Sequence, residues 1–345
     1  MSKLSGGEGD RANAESRSTS GKDERLTTDA EVEEVFQKLL RVAAKQGFGS
    51  WSPALKRDLM ETELNKVAKI TEKLKELRAA AAKGKEKLDL WTDLKVETFA
   101  QCVAVVWGIS LLNAFLCVQL MVIARISTLH EESPGSEMKY HDVRTLLEKE
   151  LEQGMQGFLE RNLREICLIA TEASGQVLAS TSLKRMMTFK DVLSTLACIS
   201  STAEFQISKN GWGAALARPR SASSLGEEGE KRDVLLQFHS NVNKVIRGQD
   251  FEHAVSVSAM CVSDILMAKC ENLFAMQSDR AQGRENQGGP GVGVPRSLPL
   301  AKVIPLVSAA TEEVLEDSNP IIEYEVSRLP EVVRAYADAF SVHAA

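Results

Sequence analysis

Aromatic side chains are scarce in this sequence, at 5% of its 345 residues. Sheet-rich folds such as β-sandwiches and barrels draw on aromatic and β-branched residues, whereas the Ala, Leu, Glu and Lys that are abundant here favour helices. Hydrophobic residues make up 43% of the chain, which is enough for a sizeable core and argues against wholesale disorder. The composition therefore predicts an all-α fold.

The sequence also lacks an excess of basic residues. It contains 42 Lys and Arg residues and 48 Asp and Glu residues, which gives a formal net charge of −6. Phosphate contacts need a basic surface, so this balance argues against a nucleic-acid partner. The six cysteines form no C-x-x-C pair, and no His lies at zinc-finger spacing. We therefore expect reduced thiols in a cytosolic environment and no metal site.

The motifs of common enzyme classes are missing as well. The sequence contains no P-loop, no G-x-S-x-G elbow and no H-E-x-x-H zinc motif. The five His are isolated, and no nucleophile or carboxylate is arranged around His253, which lies in a helical pattern. The sequence thus predicts a protein without catalytic residues, without cofactors and without a small-molecule substrate.

The polar composition of the first residues predicts a disordered tail over residues 1–26, followed by a helical bundle domain over residues 27–345. A capping box at Thr28–Glu31 marks the start of the first predicted helix, because its side chains can satisfy the free amides of a helix start. Gly47 and Gly49 are expected to end this helix.

Two segments rich in Gly, Pro, Ser or Arg interrupt the helical patterns, and we expect flexible insertions near residues 208–233 and 278–297. Between them, helical spacing extends to Met276 with a turn predicted at Gly248–Asp250. Upstream, a long helix is predicted over Val143–Ile169, with a break at Ser174–Gly175.

The run Phe99–Ala124 contains no charged residue, and it follows an amphipathic helix predicted over Leu55–Leu77. Its length satisfies the rule for a membrane-spanning helix. Polar side chains within it favour a different structure, the wholly buried central helix of a bundle. These polar residues are Gln101, Ser110, Asn113 and Gln119. Residue chemistry alone leaves both interpretations open.

The segment Lys87–Lys95 places Trp91 at the boundary between an Ala-Lys-Gly linker and this apolar helix. A Trp in this position can pack inward as a hydrophobic staple at the helix start. It can also face outward, with Leu90 and Leu94, as an anchor for a partner helix. Residue chemistry alone favours the inward position.

The same segment, Lys87–Lys95, resembles the Trp-centred segment of the peroxisomal biogenesis factor three (peroxin three) family, which precedes a long apolar helix. Further segments are similar to that family in the same order along the chain. They are Val118–Leu120, Val177–Lys184 and Ser297–Val307, with a looser counterpart at Gly248–Phe251. Collinear segments spread over most of the chain argue against a chance match.

The resemblance implies an all-α, elongated, single-domain helical bundle in which Phe99–Ala124 is a long buried central helix. It also implies a location at the peroxisomal membrane, with the bundle facing the cytosol. Members of the family dock the import receptor peroxin nineteen, whose N-terminal amphipathic helix lies in a hydrophobic groove. We therefore expect a monomeric docking receptor that supports the insertion of peroxisomal membrane proteins.

The resemblance also implies which residues bind this partner. By motif position, Trp91 is the anchor in the groove, so the resemblance favours the outward position of its ring. Leu90 and Leu94 are the neighbouring apolar positions. Lys87 and Lys302 are the cations at the rim, where they suit an acidic peptide.

The similarity ends at the N terminus. Members of the family begin with a transmembrane anchor, whereas residues 1–30 are polar here, and we expect this chain to lack that anchor. Two alternatives to the docking receptor remain. One is an integral membrane protein that spans the bilayer through residues 99–124, and the other is a helical adaptor unrelated to peroxisomes.

Overall fold

The computed structural model describes residues 47–59, 65–79, 85–132, 138–209, 216, 229–282 and 297–341. The predicted tail over residues 1–26 and the predicted helix start at Thr28–Glu31 lie outside these ranges. The centres of both predicted insertions also lie outside them.

The described residues are almost entirely helical, which confirms the all-α prediction. The helices are α1 (Gly49–Leu59), α2 (Asn65–Ala79), α3 (Lys85–Glu132), α4 (Tyr140–Gly157), α5 (Leu163–Leu178), α6 (Phe189–Ser208), α7 (Glu230–Ile246), α8 (Gln249–Gln282), α9 (Leu300–Glu316) and α10 (Pro330–Ser341). A π-helical turn at Phe158–Asn162 joins α4 to α5, and short helical turns at 318–328 precede α10. Two short strands are β1 (Met186–Thr188) and β2 (Ser297–Pro299).

Helix α3 forms the centre of the bundle. Every residue from Thr98 to Gln119 is buried, as expected for a helix that is apolar on all sides. This helix contacts every other α-helix labelled above. The prediction of a long buried central helix is therefore confirmed.

Two described segments are long and apolar enough to cross a membrane, by length and composition alone: Lys85–His130 and Gln249–Gln277. In the first segment, 94% of the most apolar 18-residue stretch is buried inside the protein, whereas 39% of the corresponding stretch is buried in the second segment. Burial of its apolar stretch inside the protein is typical of a core helix. The structure thus favours the core interpretation of residues 99–124 over a membrane span.

Most of the polar side chains inside this run are hydrogen bonded. The Ser110 hydroxyl donates to a backbone carbonyl one turn earlier (2.8 Å), and Gln119 Nε2 does the same (3.3 Å). Asn113 Nδ2 reaches the Tyr336 hydroxyl of α10 at 3.3 Å. Such bonds offset the cost of burying polar groups. The Gln101 amide has no hydrogen-bond partner within the described part of the chain.

The helical path near the start of the described chain differs from the prediction. The chain is already helical at Gly47 and α1 begins at Gly49, so the stop expected at these two residues is wrong. A Cβ atom at Gly47 would lie 2.8 Å from Leu120 Cδ1. Glycine therefore permits a close approach to α3 here instead of ending a helix. The helix predicted over Leu55–Leu77 is described as two helices, α1 and α2.

The helix predicted over Val143–Ile169 is longer in the structure, where α4, the π-helical turn and α5 follow one another without a break. The break predicted at Ser174–Gly175 is wrong, because α5 passes through both residues. A glycine inside a helix costs only about 1 kcal/mol. Full burial of Ala173 and Leu178 on the same helix outweighs this cost.

The turn predicted at Gly248–Asp250 lies at Arg247–Gly248, between α7 and α8. Helices extend into the edges of both predicted insertions. Helix α6 ends at Ser208 and α7 begins at Glu230, while α8 continues to Gln282.

A small antiparallel sheet was not predicted from the sequence. Strands β1 and β2 pair with Met186 opposite Pro299 and Thr188 opposite Ser297. Three-residue strands carry too little alternation to be recognised in a sequence. Because α6 follows β1 and α9 follows β2, the sheet ties the starts of these two helices together.

Candidate functional site

A groove of about 750 Å³ opens between α2, α3 and α9. Its walls are mainly apolar, with a few polar and charged side chains among them. A concave apolar surface with a small number of polar groups is the usual form of a binding site. The groove is therefore the candidate functional site among the described residues.

Helix α3 contributes Trp91, Leu94 and Thr98, which lie on one face at helical spacing. The Trp91 ring is half-buried, because it packs against the hydrophobic core and also lines the groove. Leu94 is 6% exposed and belongs to the core beneath. The Thr98 hydroxyl is buried and has no hydrogen-bond partner among the described residues.

Helix α9 forms a second wall through Ala301, Ile304, Pro305 and Ser308, again a single face of the helix. The helix begins directly after β2, with Pro299 in an extended conformation as its N-cap. Pro305 has no backbone N–H, so the helix loses one internal hydrogen bond at the groove. Burial of Ile304 anchors this part of the helix on the core.

Helix α2 is the third wall and runs antiparallel to α3. Lys66 Nζ lies 4.0 Å from Glu97 Oε2, and Lys73 Nζ lies 3.9 Å from Glu86 Oε1. The higher-numbered residue of α2 thus pairs with the lower-numbered residue of α3. Between these pairs, Val67 is buried and faces the groove.

Charged side chains of both signs line the groove. Lys75 Nζ lies 3.2 Å from Glu72 Oε2, and both side chains are largely exposed. Glu312 accepts a hydrogen bond from the Ser308 hydroxyl at 3.3 Å. Exposed charges of this kind are screened by salt, so they affect the encounter with a partner more than they affect stability.

Of the predicted partner-binding residues, the structure brings Trp91 and Leu94 together in the groove. Leu90 is half-buried and packs against the core, without lining the groove. Lys87 is half-buried and lies one turn before Trp91 on the same face of α3. Lys302 is exposed and follows the groove residue Ala301, so it lies beside the α9 wall.

The segments Lys87–Lys95, Val177–Lys184 and Ser297–Val307, which carry the resemblance, meet beside the groove. Lys95 of the first segment donates hydrogen bonds to backbone carbonyls of the second. The start of α9, in the third segment, is hydrogen bonded to the second segment as well. Segments far apart in the sequence thus form one continuous structure.

Sequence reasoning missed the α2 wall and the acidic groove residues Glu72 and Glu312. The amphipathic pattern around Val67 predicted a helix, and no signal in the sequence shows which helix it packs beside. The position of Ile304 and Pro305 could have been found, since both lie within the segment Ser297–Val307.

Three of the buried cysteines, Cys102, Cys117 and Cys270, have unreactive thiols. Burial raises the pKa of the Cys117 and Cys270 thiols to about 12, and it raises the pKa of Cys102 as well. All three side chains are therefore neutral at physiological pH. The described residues contain no group of three His, Cys, Asp or Glu side chains that could hold a metal ion.

Fold and groove together define an all-α bundle, built around a central helix, with an apolar groove between three of its helices. No protein-family model matches the chain. The chain is similar to Peroxisome biogenesis protein 3-2 of Arabidopsis thaliana, with 23% identity over 257 residues. This match spans 72% of the chain and 66% of the length of that protein. The similarity supports a distant relationship to a peroxin three protein.

Proposed function

We propose that this protein acts in peroxisome biogenesis as a docking receptor for the N-terminal amphipathic helix of peroxin nineteen. The observation that carries the proposal is the position of Trp91, a half-buried Trp that lines an apolar groove between three helices. The distant similarity to a protein named for peroxisome biogenesis supports the broader part of this proposal, a role in peroxisome biogenesis.

The groove has the shape and chemistry that an amphipathic helix needs. Small side chains at Ala68, Ala301 and Ala309 allow the backbone of a bound helix to approach closely. Trp91 offers a large apolar surface as an anchor, and Leu94 lies in the wall beside it. Apolar residues on one face of a helix can therefore be buried here.

Cations near the groove suit an acidic peptide. Lys75 lines the groove, Lys302 is exposed beside its α9 wall, and Lys87 lies one turn before Trp91. Charges at the margin of an interface accelerate association and select among partners. Glu72 partly neutralises Lys75, so we assign the main attraction to Lys87 and Lys302.

We further propose that the bundle lies at the peroxisomal membrane and faces the cytosol. There, as a monomer without catalytic activity, it would receive peroxin nineteen and support the insertion of peroxisomal membrane proteins. A fluorescently tagged copy should co-localise with a peroxisomal marker. A tagged copy that does not co-localise with the marker would favour the alternative of a helical adaptor unrelated to peroxisomes.

Substitution of the Trp91 ring tests the docking role. We expect Trp91→Ala to weaken binding of the peroxin nineteen N-terminal peptide by about 2 kcal/mol or more, because an anchor in a groove supplies much of the binding energy. Binding should be measured by calorimetry, with the folded fraction of each variant determined by circular dichroism.

Trp51→Ala is the matched control. Trp51 is also half-buried and packs against the same core, but it does not line the groove. This control should lose stability and keep its affinity for the peptide. A Trp91→Ala variant that loses stability while its folded molecules bind normally would show that the ring is only a staple of the core.

A further inference from the structure

Lys95 lies on α3 next to the groove residue Leu94, yet it is only 3% exposed. Its Nζ atom donates to the carbonyl of Leu178 at 2.8 Å and to the carbonyl of Thr181 at 3.0 Å. Leu178 is the last residue of α5, where helix carbonyls lack partners within the helix. A single lysine thus joins α3 to the end of α5 and to the turn that follows it.

The same turn is hydrogen bonded to the start of α9. Ala301 N–H donates to the Leu183 carbonyl at 3.1 Å, and Leu300 N–H donates to the Arg185 carbonyl at 2.9 Å. Ala301 is itself part of the groove wall. A continuous series of hydrogen bonds therefore leads from α3, through residues 178–185, to the opposite wall of the groove.

Burial of this ammonium group is unfavourable in itself, and desolvation lowers the pKa of Lys95. No carboxylate among the described residues lies within ion-pair distance to compensate it. A Met side chain would fill similar space without this cost. What Met cannot supply is the pair of directed bonds to two carbonyls.

We propose that Lys95 is a positioning residue that sets the separation of the α3 and α9 walls of the groove. It acts through the turn at residues 178–185, which holds the first residues of α9. The consequence for binding rests on the proposed docking function, whereas the separation of the walls can be measured without any partner.

The experiment measures wall separation and affinity in the full chain. Spin labels at Asp93→Cys and Lys302→Cys, with Cys198→Ser and Cys261→Ser to remove competing thiols, report the distance between α3 and α9 by pulsed electron paramagnetic resonance. We expect Lys95→Met to shift or broaden this distance by about 2 Å. In the unlabelled chain, it should weaken binding of the peroxin nineteen N-terminal peptide about tenfold per folded molecule.

Three variants separate positioning from general destabilisation. Lys95→Arg retains donors for the two carbonyls and should restore most of the distance and the affinity. Lys56→Met removes another lysine that donates to a carbonyl, that of Glu316 at 2.8 Å, at the far end of α9. Leu147→Ala removes a fully buried side chain from α4, which does not line the groove. Both controls should leave distance and affinity unchanged.

A Lys95→Met variant with lower stability but an unchanged distance would overturn the proposal, as would failure of Lys95→Arg to recover either property. If the unmodified protein does not bind the peptide, the docking function is wrong, and the distance measurement still decides the role of Lys95. A changed distance in Leu147→Ala would show that any destabilisation moves the walls, and would also overturn it.

Discussion

The carboxylate of Asp191 illustrates how single residues hold the structure beside the groove. The Thr188 N–H and hydroxyl donate to Asp191 Oδ2 at 2.7 and 2.6 Å, and the Asp191 N–H donates back to the Thr188 hydroxyl oxygen at 3.3 Å. This reciprocal capping box closes the start of α6. Since Thr188 ends β1, the interaction also supports the sheet that leads into α9.

These bonds lower the pKa of Asp191, chiefly through the Thr188 hydroxyl and then through the Thr188 amide, because they stabilise the charged form. A carboxyl group with a depressed folded-state pKa stabilises the fold above its unfolded pKa of about 3.9. That contribution is lost as the pH falls through the folded-state value.

We therefore expect Asp191→Asn to be less stable than the unmodified protein at pH 7. The difference should shrink as the pH is lowered from about 4 towards 2. Urea unfolding at a series of pH values measures it. Asp142→Asn, which changes an exposed carboxylate in the first turn of another helix, α4, is the control for the loss of one acidic side chain. An Asp191→Asn difference that is the same at both pH extremes would contradict this assignment.

Individual residues differed in how well their roles could be predicted from the sequence. Trp91 and Leu94 were assigned to a groove through the motif around them, and both line one. Lys95 belongs to the same motif but was not singled out as a functional residue. Its burial depends on the turn after Leu178, which is distant in the sequence.

The secondary-structure elements were predictable where the pattern is long. The hydrophobic spacing of the sequence predicts helix α3. A glycine between two helical patterns predicts the turn between α7 and α8. The continuation of α5 through Gly175 was not predicted, because the burial of its neighbours outweighs the helix-weakening effect of one glycine. The strand at Met186 was not predicted either, because three residues are too few to show an alternating pattern. Packing of α2 beside Trp91 depends on tertiary contacts that no local pattern records.

The enclosed environment of α3 supports a prediction about this helix. Val106 is 2% exposed, and an aspartate there would place an unpaired charge in the core. We expect Val106→Asp to lower the free energy of unfolding by about 3–5 kcal/mol and to reduce the yield of folded protein prepared without detergent. Urea unfolding of the soluble fraction measures the change.

Ala124→Asp provides the control on the same helix, since Ala124 is exposed. It introduces the same charge and should change stability by about 0.5 kcal/mol or less. Equal tolerance of both substitutions, or a Val106→Asp protein that folds normally only in lipid, would contradict a core position for residues 99–124.

Across the whole molecule, a formal net charge of −6 opposes the approach of an acidic peptide. Under the proposed docking function, association would therefore depend on where the cations are placed and not on total charge. Lys302 follows the groove residue Ala301 on α9, and Lys87 lies one turn before Trp91 on α3. Lys244 carries the same charge on α7, a helix that does not line the groove.

Charge reversal at these three lysines separates local attraction from the net charge, because each substitution makes the molecule more negative by the same amount. We expect Lys87→Glu and Lys302→Glu to slow association of the peroxin nineteen N-terminal peptide about tenfold at low salt, with little change in stability. The defect should shrink as salt is raised, since charges in contact with solvent are screened over about 10 Å at 0.1 M ionic strength. Lys244→Glu should have a much smaller effect. Stopped-flow measurements over a salt series give the association rate of each variant. A defect that does not change with salt would show that Lys87 and Lys302 do not steer a peptide into the groove. An equal defect in Lys244→Glu would show the same.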